Sequence, residues 1–450
     1  MPGGNLGPSL VVSLLEGLDW IAPRLEGTRI RAGAGAVAGK VDAVARTHGR
    51  RLPFLPASAS WCTLGGILAN NSAGASSFRH GSTHRWVTGL AGIDAWGRPF
   101  RAGFGGASQG PLPQAVKSLP QLSALNRLSR DEDGIPSGWP RVRKNSSGYA
   151  LDRFLADPGL LSLLPGSEGT LAIITEVEFE TAPVPPRRGV LLLPARSPGE
   201  VVQLAQAMDQ EGATACEFLG RRFLEVAGLD RSPDFGAMAR GAFALLLVEV
   251  EGEADQVHET LDRCQAVGRQ VAGPGRRATN PEEVRELWRL RKAASPIIAR
   301  EAGQGRISTQ FIEDSVVPVS RLGDYLSGLD RILDAASLDA VIFGHAGDGN
   351  VHVNPLVEIH RPGWEEQVRT VLDQVVDLVA SLGGTLAGEH GDGRLRAPFM
   401  ERIWGAELAQ AFQSVKETLD PAGILNPGVV VPLPGQDPLE GLSPRARTHP

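Results

Sequence analysis

The sequence predicts an α+β fold in two unlike halves that meet near residue 187, on three features. Residues 1–186 are short apolar runs broken by Gly, Ser, Asn and Pro, a texture suited to wrapping an extended ligand. The run Pro183-Val184-Pro185-Pro186 removes backbone donors and fixes φ, so regular structure breaks there. From 187 to 435 strand-like and helix-like stretches alternate, roughly one pair per ~50 residues, which suits a sheet with helices packed on one face.

In the first half the strand pattern falls at 28–32, 92–95 and 170–179, and the helix pattern at 40–47 and 151–156. The stretch 103–140, rich in Gly, Pro, Ser and Asp, reads as a flexible surface insertion. In the second half a strand over 190–193 leads to a helix over 198–210. A strand over 242–251, a helix over 253–268 and a long helical run over 281–302 follow. The last helix covers 398–419 and stops at Asp420-Pro421. The tail, 436–450, has little to bury and is expected to be disordered. The start, Met1-Pro2-Gly3-Gly4-Asn5-Leu6-Gly7-Pro8, reads as the inside of a glycine-rich loop before a strand-like run over 10–14. Either it is a plain disordered tip, or something normally precedes it.

Composition narrows the function. Apolar residues make up 42%, charged residues 21%, and a net charge of −6 gives no electrostatic reason to expect nucleic acid or an anionic membrane. Cys62, Cys216 and Cys264 are widely spaced, which excludes a disulfide framework or an iron–sulfur cluster carried by this chain alone. Each reads as a buried free thiol. No apolar run reaches the ~20 residues of a transmembrane span and no signal-peptide order opens the chain, so the expected location is cytoplasmic.

The strongest chemical signal is Val341-Ile342-Phe343-Gly344-His345-Ala346-Gly347-Asp348-Gly349-Asn350-Val351-His352-Val353-Asn354. It reads as a strand, a Gly-Asp-Gly-Asn turn and a returning strand. Side chains alternate along a strand, so such a hairpin brings His345 and His352 onto one face, half of a divalent-metal site. The plainer alternative is two histidines satisfying turn carbonyls. In Gly383-Gly384-Thr385-Leu386-Ala387-Gly388-Glu389-His390-Gly391-Asp392-Gly393, Glu389 could complete a two-histidine, one-carboxylate set with open coordination positions. His390 beside it would be a base with a pKa near neutrality. The alternative here is a Glu-His pair in a surface loop.

Glycine-rich segments fill the first half: Leu55-Pro56-Ala57-Ser58, the run from Leu64 through Gly65, Gly66 and Asn70 to Gly74, Arg79-His80-Gly81-Ser82, and Gly166-Ser167-Glu168-Gly169-Thr170. Small residues let backbone amides approach a pyrophosphate closely, although each such turn is also common without a ligand.

Together these motifs resemble the FAD-linked oxidases and dehydrogenases with a vanillyl-alcohol-oxidase (PCMH) type flavin domain. The similarity is to the D-lactate, glycolate and D-2-hydroxyglutarate dehydrogenase branch and runs from Met1 to about Val431. It implies an FAD-binding domain over 1–186, then a substrate and metal domain over 187–435 with an antiparallel sheet and flanking helices. By position it makes His345, His352 and Glu389 the metal ligands, His390 the base, Asn354 a substrate contact and Arg291 the clamp on a substrate carboxylate. A guanidinium suits that last task through bidentate pairing. A lysine that some relatives place near Phe311-Ile312-Glu313-Asp314 is not seen. For FAD, the resemblance selects Pro56, Ser58, Gly65, Gly66, Asn70, Gly74, Gly81, Ser82, Glu168, Gly169, Ile174 and Asn426. No covalent attachment residue stands out, so non-covalent FAD is expected.

The family carries a further segment with a pyrophosphate loop before this start. The reading is of an amino-terminally truncated flavin domain, with a mis-set start preferred over a true fragment. The implied reaction is oxidation of a small D-2-hydroxy acid to its 2-oxo acid. A divalent metal (zinc, with manganese or iron as alternatives) would assist deprotonation of the hydroxyl, and hydride would pass to flavin N5. Electrons would leave to a quinone, cytochrome or iron–sulfur partner, through which the protein could lie peripheral to a membrane. GEHGDGRLR at 388–396 resembles members that work with iron–sulfur domains. The rivals are an alkyl-glycerone-phosphate-synthase-like transferase on the same fold, a flavin-free subunit of a larger complex, and a flavin-free metal hydrolase.

Overall fold

The computed structural model describes residues 10–106, 112–125, 138–302, 305–440 and 442. The first half forms a five-stranded antiparallel sheet in the order Ile21–Arg24, Arg29–Gly33, Ile173–Glu180, Val87–Ile93, Pro99–Gly103. Helices Ala38–Thr47 and Leu151–Ala156 form where the apolar spacing placed them. The apolar run 10–14 is not a strand. Such a run becomes a strand only when a neighbour takes its backbone hydrogen bonds, and among the described residues none does, leaving Leu10, Val11 and Val12 exposed.

Two expectations about flexibility are corrected. Within 103–140, residues 112–117 and 120–125 are helical, and Val116, Leu122, Leu125 and Trp139 are buried in the first core. Four apolar side chains among the polar ones suffice to tie the insertion down. Residues 107–111 and 126–137 lie outside the described set. In the tail, the Gln436 amide donates to the Arg394 and Gly428 carbonyls, Asp437 pairs with Arg369, and Leu439 and Leu442 pack on the second core. The tail is therefore not disordered as far as 440, and 443–450 lie outside the described residues. Cys216 and Cys264 are buried as expected, whereas Cys62 is only half-buried.

The second half builds an antiparallel sheet ordered Arg276–Ala278, Arg187–Ala195, Ala244–Gly252, Ala215–Gly220, Ala340–His345, Asn350–Val357, Ile307–Ser308, with Ser315–Val316 also pairing on Asn350–Val357. Helices cover both faces, not one. Leu191 and Leu193 face a core shared with Pro198–Gln210 and Ala254–Val271, while Val190 and Leu192 face Pro281–Lys292. The unbroken run Val190-Leu191-Leu192-Leu193 carried that signal, because a strand wetted on one side alternates instead.

The final helix, Met400–Leu419, follows the second sheet in the chain but packs elsewhere. Its Met400, Trp404, Leu408, Phe412, Val415 and Leu419 lie in the core of the first half. A boundary near 187 thus separates these two sheets but not the core of the first half from the end of the chain.

A buried pair also joins the halves. Both terminal nitrogens of Arg51 donate to the carboxylate of Glu251, one at 2.8 Å. Arg188 also reaches the Glu251 carboxylate at 3.0 Å, so Arg51→Met removes one of its cations without stranding the charge and should lower unfolding stability by about 1–3 kcal/mol in a denaturant titration. Burial disfavours ionised Glu251, but hydrogen bonds from His80 and Arg51 and the nearby cationic charge outweigh it, holding its pKa at about 2. The pair's stabilisation is thus full above the ordinary value of 4.5 and should fade as pH falls toward 2.

Candidate active site

Two glycine-rich turns meet at the end of the second sheet. In the first, Phe343 pairs with His352 and His345 with Asn350, so alternation puts both histidines on one face. The turn closes at Gly349, whose φ of +70° and 2.0 Å clearance to the Val317 carbonyl for any added Cβ admit only glycine. In the second turn, a Cβ on Gly388 would strike the Asn350 amide at 2.5 Å, so glycine lets the turns touch.

Their contact brings four side chains together. Oε1 of Glu389 lies 3.4 Å from His345 Nε2, 3.2 Å from His352 Nε2 and 3.6 Å from His390 Nε2. The opposite ring nitrogens all engage carboxylates. His345 Nδ1 bonds Glu217 at 2.5 Å, while His352 and His390 bond the two oxygens of Glu313, each at 2.7 Å. That pattern points each Nδ1–H at a carboxylate oxygen and turns the Nε2 atoms toward a common space. Glu313, His352 and His390 also lie close enough to form a donor trio. However, both Glu313 oxygens sit at hydrogen-bond distance from the Nδ1 atoms, so His345, His352 and Glu389 are the better metal set.

The charges are strongly coupled. Burial alone would raise Glu217, but His345 and Arg291 bring it down to about 2. Burial likewise opposes ionisation of Glu313 and Glu389, yet His390 and His352 depress the first, and Lys144 and His345 the second, well below the carboxylate range. Burial would lower both imidazoles, but Glu313 outweighs it and lifts His352 to about 9 and, with Asp314, His390 to about 10. The near-neutral value expected for His390 is therefore not met by the chain's own charges.

Sequence reasoning missed the residues behind the ligands. Asp314, fully buried with a φ of +76°, accepts the backbone N–H groups of Glu389 (3.0 Å) and His390 (2.8 Å) and so anchors their turn. Arg396, also buried, donates to the Gly391 carbonyl (2.6 Å) and to the Glu313 carbonyl. Glu217 stands inside the apolar strand Ala215–Gly220, and a charge in a buried strand was the available signal.

Of the two proposed substrate contacts, Asn354 shares the His352 face and lies 3.5 Å from the Val341 carbonyl. Arg291 donates through Nε to Glu217 at 2.7 Å and lies over the Phe343 ring at 4.5 Å. Among the residues matched to FAD, two reach the second turn and a third holds one of them. Asn70 donates to the His390 carbonyl (2.9 Å), Glu168 accepts the N–H groups of Asp392 (2.6 Å) and Gly393 (3.1 Å), and Asn426 donates to the Glu168 carbonyl (2.7 Å). Gly65 and Gly74 meet local packing needs, since a Cβ would strike Ala34 or the Leu55 carbonyl. Gly66 donates its N–H to the capping Thr63 hydroxyl, Gly81 and Gly169 take left-handed φ, and Ile174 pairs with Gly92. Ser82 bonds His84 and Ser58 bonds Cys62, while Pro56 is half-buried. Among the described residues, no helix is long and apolar enough to cross a membrane.

The chain resembles known proteins in both halves. Residues 184–430 match the model for the C-terminal domain of FAD linked oxidases, and residues 2–103 match an FAD binding domain. A D-2-hydroxyglutarate dehydrogenase from Pantoea ananatis is 26% identical over 95% of this chain, which spans 44% of that protein. A D-lactate dehydrogenase from Archaeoglobus fulgidus is 27% identical, covering 89% of this chain and 76% of its own. Glycolate oxidase subunit GlcD of Bacillus subtilis is 26% identical over 83% of this chain and 69% of its own. A solved 4-ethylphenol oxidase from Gulosibacter chungangensis superposes with a TM-score of 0.64 at 14% identity, covering 93% of this chain and 79% of that one. An alkyldihydroxyacetonephosphate synthase structure does so at 0.55 and 15%, over 92% and 65%. Both likenesses are of fold.

Proposed function

Because this chain belongs to the FAD-linked oxidase family, we propose that it is an FAD-dependent dehydrogenase oxidising a small D-2-hydroxy acid to the 2-oxo acid. The substrate class is that of D-lactate, glycolate or D-2-hydroxyglutarate. The observation that carries this reading is the convergence of the Nε2 atoms of His345, His352 and His390 on one oxygen of Glu389. Flavin contact belongs to residues 1–186 with Asn426, and substrate contact to 187–435.

The residues fit a divalent cation held by His345, His352 and Glu389. Nitrogen and oxygen donors in that ratio suit zinc, with manganese or iron as alternatives. The carboxylates of Glu217, Glu313, Asp314, Asp348 and Glu389 are buried there with Lys144, Arg291 and Arg396, and the two negative charges left over are balanced by protons on His352 and His390 or by a divalent cation that replaces protons. Bound there, the cation supplies Lewis acidity toward a hydroxyl oxygen, and bound FAD supplies the two-electron acceptor.

The chain's own residues do the rest. His390 takes the hydroxyl proton at Nε2 while Glu313 holds Nδ1–H and stabilises the imidazolium. With a cation held by His345, His352 and Glu389, the elevation of the His390 pKa would be opposed by charge repulsion, and the base would move toward working pH. Glu217 fixes Arg291 through Nε and leaves the terminal nitrogens as the fork for a carboxylate. Asn354 lies on the His352 face of the hairpin. Reduced flavin would pass its electrons to a quinone, cytochrome or iron–sulfur partner, consistent with a cytoplasmic protein peripheral to a membrane. The transferase reading rests on fold likeness alone, and fold does not fix chemistry.

Metal binding provides a pH test. Zinc must displace the proton that His352 retains below about 9, so affinity should fall as pH falls. Chelator competition at pH 6.5 and 8.5 should show up to about tenfold per pH unit for each proton released. The function itself is tested by an absorption spectrum and metal analysis. Flavin bands bleached by one of the three acids support it, whereas full flavin occupancy without bleaching by any of them rejects the substrate class. Absence of flavin from the purified protein would leave the flavin-free subunit or the hydrolase.

A further inference from the structure

The loop 141–149 brings a cation from the first half into the metal set. Lys144 is buried, with Nζ 3.1 Å from Asp348 Oδ2 and 3.6 Å from Glu389 Oε2. The loop is stitched to the Glu389 turn on both sides of that residue. Ser146 donates from its backbone N–H to the Ala387 carbonyl (2.9 Å) and from its hydroxyl to the Gly388 carbonyl (3.1 Å). Beyond Glu389, the Gly148 N–H donates to Asp392 (2.8 Å). Asn71 and Trp404 hold the loop from behind through Asn145 and Ser147. The position of the ammonium is therefore set by the fold, and burying it costs desolvation that a simple surface counter-ion avoids.

The two oxygens of Glu389 are thereby divided. Oε1 faces three imidazole nitrogens, while Oε2 is buried without a hydrogen bond among the described residues and has Lys144 as its near cation. We infer that Lys144 is a positioning residue, holding Oε2 so that Glu389 presents Oε1 alone to the space shared by the three Nε2 atoms. This rests on the proposed metal-assisted oxidation. A carboxylate that presents one oxygen leaves more positions for substrate. The fixed positive charge behind it draws electron density away from that oxygen, so a cation there is held less tightly and polarises its other ligands more.

The test compares K144M/D348N with D348N, because Lys144→Met alone would strand the buried Asp348 charge and endanger folding. Zinc affinity is read by competition with a chromophoric chelator, and flavin bleaching by the hydroxy acid gives kcat and KM. Expected is one zinc per chain, bound as tightly or up to about tenfold more tightly, with kcat lowered about tenfold or more and KM within about threefold. K144R, which keeps the charge and leaves Asp348 paired, should hold kcat within about threefold of wild type. A kcat in K144M/D348N within about twofold of D348N overturns the inference, as does zinc affinity lost in step with kcat, which marks a strut rather than a positioning charge. A K144R chain that folds yet loses as much kcat as K144M/D348N also overturns it. If wild type itself takes up no zinc, the metal-assisted reading falls and the inference with it. Zinc uptake and bleaching in wild type beside an indifferent K144M/D348N sinks the inference alone.

Discussion

A His390→Ala chain should keep its flavin and its zinc and reduce flavin with the hydroxy acid about 10²–10⁴-fold more slowly. The prediction separates a base from a ligand. His390 Nε2 stands 3.6 Å from Glu389 Oε1, but His390 lies outside the ligand trio, and its ring is the more exposed of the three. Its backbone is held independently, by Asp314 at the N–H and by Asn70 at the carbonyl, so removing the ring leaves the turn in place. Stopped-flow bleaching beside zinc analysis checks it. Reduction within about tenfold of wild type would assign the proton to another group.

The second large effect is expected at a residue that touches neither metal nor substrate. Glu313 accepts from Nδ1 of both His352 and His390, so Glu313→Gln alters a ligand and the base together. Glutamine keeps the volume but offers one oxygen and one NH₂ group. The NH₂ faces an Nδ1–H donor, and one imidazole must move its proton to Nε2, where it blocks either the ligand lone pair or the base. Losing such an outer partner typically costs about 10–100-fold in metal affinity, and a mispositioned base about 10² more in rate. Zinc competition and bleaching rates together should show both losses. Glu217→Gln is the informative control, because Glu217 serves His345 and Arg291 but not His390. It should weaken zinc with a smaller effect on proton transfer. Equal losses in the two variants would argue against a shared role for Glu313.

The hairpin histidines and the Glu389-His390 pair were legible because their geometry is local. Strand alternation sets the facing of His345 and His352, and adjacency sets the second pair. Strands and helices over 28–32, 151–156 and 198–210 were legible for the same reason, since periodicity within one element reports its buried face. Glu313, Asp314, Arg396 and Lys144 were not. Each acts through a partner distant in the chain, and Lys144 meets Asp348 only because the loop 141–149 is laid along the Glu389 turn. The run 10–14 had strand composition but no pairing partner, which composition cannot supply.

The final helix has a consequence for how the protein is made. The first core includes Ile30, Leu64 and Phe179 from early in the chain, and also Trp404, Phe412 and Leu419 from near its end. On a ribosome the early residues emerge on the order of tens of seconds before the late ones. During that interval the first sheet waits with its apolar face open while the second sheet, whose strands all lie between 187 and 357, already has its partners. The lobe synthesised first is thus the lobe completed last. Its nascent form is the one that a chaperone would need to shield.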